Sequence, residues 1–70
     1  MKVTLEQQLL ESGVKNLKEF GYPTVTIENI LTDDVFKLFF KSMLEETKEN
    51  CHNNKIVLDT CDFLLIKIGA

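Results

Sequence analysis

The chain has no arginine and no tryptophan, a single histidine, a single proline and only two cysteines in 70 residues. Each shortage removes a class of function. Without arginine there is no planar, bidentate donor for guanine edges or phosphates, and a net charge of −3 is the wrong sign for a basic groove. Direct nucleic-acid binding is therefore not expected. With His52 alone, a serine or cysteine nucleophile would have to draw on that one imidazole. Its neighbour Cys51 is adjacent in sequence rather than placed opposite it by the fold. Cys51, His52 and Cys61 are three soft ligands at spacings unlike the paired cysteines of a structural zinc site. Gly13, Gly21 and Gly69 stand alone, so no phosphate-cradling loop is present. No catalytic, cofactor or metal residues are assigned, and the chain is read as non-enzymatic.

Long apolar runs are missing too. The stretch Phe63 to Ile66 is far shorter than the roughly 20 residues a membrane span requires. Met1 to Gln8 includes Glu6 and lacks the apolar core of a secretory signal. The expectation is a cytoplasmic protein with no membrane association and with both cysteines reduced.

What is present is amphipathic periodicity across the whole chain, consistent with one small domain over residues 1–70. Thr4 can cap a first helix running to about Phe20, with Gln7 reaching back in a capping box. Leu5, Leu9, Leu10, Val14, Leu17 and Phe20 fill half its circumference, and Gly13 lies near the middle of that arc. A glycine there costs about 1 kcal/mol against alanine, which points to close approach by another helix. Gly21, Tyr22 and Pro23 stop the helix. Thr26, Asn29, Ile30 and Leu31 suggest one short helical turn, after which Thr32 is expected to cap the next helix, with Asp33 and Asp34 in its first turn.

That helix runs from Asp33 to Asn50 and carries Val35, Phe36, Phe39, Phe40, Met43 and Leu44 over half its surface, with Leu38 outside the band. Phe36 and Phe40 are expected in the core. Asn50 to Asn54 forms a polar loop holding Cys51 and His52. The last segment, Lys55 to Ile68, reads as a helix capped by Asn54, with Val57, Cys61, Leu64, Leu65 and Ile68 facing inward. Its β-branched residues also allow a hairpin turning at Asp59 to Asp62, although no Asn-Gly or Asp-Gly pair supports one. The expected fold is all-α, a small bundle of three main helices plus one short helical turn. The alternative is an α+β fold with a C-terminal β-hairpin.

Apolar surface exceeds what such a bundle buries. Ile56 and Phe63 form a second stripe on the last helix, and Leu38, Phe39, Ile56, Phe63 and Ile66 are the candidate partner-binding residues. The functional expectation is a protein–protein interaction module: a small adaptor, regulator or inhibitor contacting another protein or a second copy of itself, with a homodimer as the favoured assembly. Lysine as the sole strong base and the many asparagines suit an AT-rich genome, including that of a phage. The alternative function is an acidic nucleic-acid mimic that blocks a basic groove on a nucleic-acid-binding protein.

Overall fold

The computed structural model describes residues 4–69. Residues 1–3, on which the reading of the leader segment partly rests, lie outside them, as does Ala70. Four helices follow one another: α1 (Leu5–Glu19), α2 (Ile27–Thr32), α3 (Asp34–Asn50) and α4 (Lys55–Lys67). The fold is a small all-α bundle, and the C-terminal hairpin is ruled out because Lys55–Lys67 is a continuous helix.

Each helix boundary has a local chemical cause. The Thr4 hydroxyl accepts from the Gln7 amide at 3.1 Å, while the Gln7 side chain donates along the helix to Glu11. The reciprocal capping box forms instead at α2, where Thr26 accepts from the Asn29 amide and the Asn29 side chain accepts from the Thr26 amide at 3.0 Å. Val25 and Ile30 flank that box and are both buried, as in a hydrophobic staple. α1 ends at Phe20 in a Schellman motif: Gly21 N–H donates to the Lys18 carbonyl and Tyr22 N–H to that of Leu17. Gly21 has φ 114°, open to glycine and costly for other residues.

The expected cap at Thr32 is corrected to Asp33. The Thr32 hydroxyl is already engaged, donating to the Glu28 carbonyl at 2.8 Å within the last turn of α2. Asp33 then serves two helices. Its N–H donates to Asn29 at the end of α2, and its carboxylate accepts from the amides of Val35 and Phe36 at the start of α3. α3 accordingly starts at Asp34 rather than Asp33. Asn54 caps α4 as expected.

The helices pack in a ring, α1 on α2, α2 on α3, α3 on α4 and α4 on α1. Across the middle, α1 and α3 meet through side chains. Phe40 lies against Gly13 at the centre of a core formed with Leu10, Leu17, Val25, Ile30, Leu44, Cys61, Leu64 and Ile68. Fully burying one such side chain contributes about 1.5–3 kcal/mol. The expected role of Gly13, a place of close approach to the phenylalanine-rich helix, is the one it has. Phe40 is fully buried as expected, and Phe36 packs against the core half-buried, edge-on to Tyr22 with ring centroids 5.2 Å apart.

Candidate functional site

The candidate residues fall on three separate surfaces. Ile56, Phe63 and Ile66 share the outer face of α4, 72%, 53% and 78% exposed. They share it because α4 spends its other face on the core: Val57, Cys61, Leu64, Leu65 and Ile68 point inward, and positions 56, 63 and 66 fall on the opposite side at helical spacing. Asp59 lies within the same outer stripe.

Leu38 is exposed on α3, beside the C-terminal end of α4, lining a shallow cleft with Lys37, Lys41 and Ile68. Phe39 departs from expectation. It is half-buried and has an intramolecular neighbour, the Phe20 ring, edge-on at 5.2 Å.

This pair belongs to a groove absent from the sequence reading. It runs between the C-terminal turn of α1 and the middle of α3, with a volume of about 460 Å³. Asn16, Glu19 and Phe20 line one wall, and Phe39, Ser42, Met43 and Glu46 the other. Phe20 and Val35, both on the apolar half-circles that periodicity gives α1 and α3, are exposed, Phe20 by 73%. The wheel of α1 does not mark Phe20 out: the apolar arc spans a half-circle, and Phe20 falls inside it about 20° from the buried Gly13. What sets it apart is its place on the residue that caps the helix, beyond the last turn.

Chemistry around the cysteines is sparse. Cys61 is buried and Cys51 half-buried in the turn after α3. The exposed His52 ring places Nδ1 3.2 Å from the Glu49 carbonyl oxygen, turned back towards the last turn of α3. Among the described residues, no three His, Cys, Asp or Glu side chains converge as a metal site would require. Nor is any helix there long and apolar enough to cross a membrane.

Two titrating groups among the described residues are displaced. Burial pushes the Cys61 thiol above its ordinary 9.0, against the opposing field of Lys48. The hydrogen bond to Asp62 holds Lys48 above its ordinary 10.5, opposed by desolvation. Both groups hold their proton more tightly in the fold than in the unfolded chain. Their stabilisation is therefore complete below the unfolded values and lost as the pH rises through the raised ones. The urea midpoint should fall as the pH climbs from about 9 to about 11, and more shallowly in Cys61→Ala. An identical slope in that variant would show that the buried thiol is not a source of the loss.

Fold and surface together define a small helical bundle with unpartnered apolar faces. No family model matches the chain, and comparison with curated proteins and with solved structures finds no match either.

Proposed function

We propose that the chain is a non-enzymatic protein–protein interaction module, acting as a small adaptor, regulator or inhibitor, and that the outer face of α4 joins two copies of it. The observation that carries this reading is the stripe of Ile56, Phe63 and Ile66, three large apolar side chains each more than half exposed on one helix. Scattered exposed apolar residues are ordinary, but three in register along a helix of 13 residues form a patch.

A two-fold axis lets one patch serve both partners. Two copies of a helix face about 20 Å long bury on the order of 1,000 Å², the lower bound for a specific interface. An interface of this size belongs with the weak, transient class. Pairing also removes apolar surface that a chain this small can ill leave in water.

Sedimentation velocity from low micromolar to several hundred micromolar tests this. The wild-type chain should shift from monomer to dimer, and Phe63→Glu, with an unchanged circular-dichroism spectrum, should remain monomeric throughout. A wild-type chain that stays monomeric at the highest concentration would refute the homodimer.

A further inference from the structure

We infer that the groove between α1 and α3 receives a basic amphipathic helix from a partner protein. This goes beyond the α4 reading and concerns a different surface. Lys48, which reaches α4 through Asp62, and the groove residues Phe39 and Glu46 lie about 160–180° apart around α3, so α4 and the groove occupy its opposite flanks.

Three features select the occupant. The first is an apolar lining made of a methionine and two rings. Phe20 stands at the lip, mostly exposed, held edge-on by Phe39 beside Met43. Aromatic side chains anchor binding hot spots, and methionine adapts its shape to the side chain it receives.

The second is charge. Glu19 and Glu46 face each other from the two walls, neither is paired with a cation among the described residues, and no lysine lines the groove. In a chain with eight lysines, a groove whose only charged residues are two unpaired carboxylates is complementary to a partner that brings its own cations.

The third is shape. The walls are two helices, and the described residues contain no strand whose open edge would accept an extended peptide. A helix ridge fits between two helices, with an apolar side chain against Phe20, Phe39 and Met43 and a Lys or Arg on each side reaching Glu19 and Glu46. Asn16 and Ser42 supply uncharged hydrogen-bonding groups at the rim.

The test uses synthetic peptides of about 14 residues, roughly four helical turns. One is built of leucine and lysine at amphipathic spacing, one has glutamate in place of lysine, and one is a scramble of the first. Each is titrated into the isotope-labelled full chain and followed by amide chemical shifts. The lysine peptide should perturb amides of residues 16–20 and 39–46 and bind at least tenfold more tightly than the other two. Glu19→Lys combined with Glu46→Lys should reverse the preference between lysine and glutamate peptides. Phe20→Ala, at an exposed position, should weaken binding about tenfold with the spectrum of the free protein otherwise preserved.

Equal binding of the scramble, shifts on the outer face of α4, or indifference to charge reversal would overturn the inference. So would occupation of the groove by a small apolar dye that none of the peptides displaces, which would mark it as a small-ligand pocket. Phe63→Glu keeps the two surfaces apart: it should abolish self-association and leave peptide binding intact, so either reading can fail while the other stands.

Discussion

Phe40→Ala should leave little folded protein at room temperature. The ring is fully buried against Gly13 of α1 with Ile30 of α2 beside it. Truncating a buried phenylalanine to alanine costs about 3–5 kcal/mol, part in lost transfer energy and part in the cavity left behind. A chain of this length commands roughly 4–10 kcal/mol in all. The substitution removes from about a third of that to all of it. Urea titration followed by helical circular dichroism should show a midpoint displaced close to zero denaturant, with reduced amplitude before any is added. Phe36→Ala offers the comparison, because its half-buried ring faces Tyr22 rather than the centre and its loss should be much milder. Equal effects would mean that Phe40 is not the organising side chain.

Gly13→Ala tests the same contact from the other side, and its sign is informative. In an exposed helix the change stabilises by about 1 kcal/mol. Here the new methyl would lie 2.8 Å from Cδ1 and 3.0 Å from Cε1 of Phe40, with Cδ1 of Ile30 at 3.3 Å. Both neighbours are fully buried and have no solvent to swing into. Overpacking of this kind costs about 1–3 kcal/mol. The net expectation is a destabilisation of up to about 2 kcal/mol, and a larger one for Gly13→Val, which adds two more methyls and a β-branch to the same gap. Shrinking the opposing side chain should reverse the effect. In a Phe40→Leu background Gly13→Ala should become neutral or stabilising, with a coupling energy above about 1 kcal/mol in the double-mutant cycle. If Gly13→Ala stabilised the wild-type chain, the close approach of ring and backbone would be disproved.

Much of this architecture is legible in the sequence, for reasons that are local. Thr4, Thr26 and Asn54 cap helices because their short side chains reach amides three residues ahead, a relation written entirely in neighbouring positions. Gly21 and Pro23 end α1 by the same kind of rule. Gly13 was legible because a costly glycine in the middle of an apolar arc has few explanations other than close packing. The preference for helix over hairpin at Lys55–Lys67 rested on five inward-facing positions at helical spacing and on the missing turn dipeptide.

What escaped the sequence reading depends on tertiary geometry. Thr32 and Asp33 are both good caps, and only the path of α2 into α3 decides between them, by giving the threonine hydroxyl to Glu28. Val25 looks like a loop residue until the turn from Tyr22 to Val25 delivers it to the core. Val35 sits at the edge of its apolar arc and Phe39 one step inside it, while Phe20 falls well within its own arc but on the residue that caps α1. Periodicity says that such residues belong to an apolar face, but not how far a neighbour extends over it. Ile56, Phe63 and Ile66 were easier, because they lie far from the arc that α4 commits to the core, and nothing placed near them covers them.

The ring order of the helices also bears on how quickly the chain reaches this arrangement. Three of the four packings join helices adjacent in sequence, so most native contacts can form over short loops at small entropic cost. The closure of α4 onto α1 brings the most distant segments together, where Lys67 meets Glu6 across 61 residues. A topology dominated by nearby partners belongs with those that fold in microseconds to milliseconds. The costliest loop closure is then the one in which the last helix finds the first, and a small chain of mostly nearby contacts exposes its apolar stripes only briefly beyond what the native state already shows.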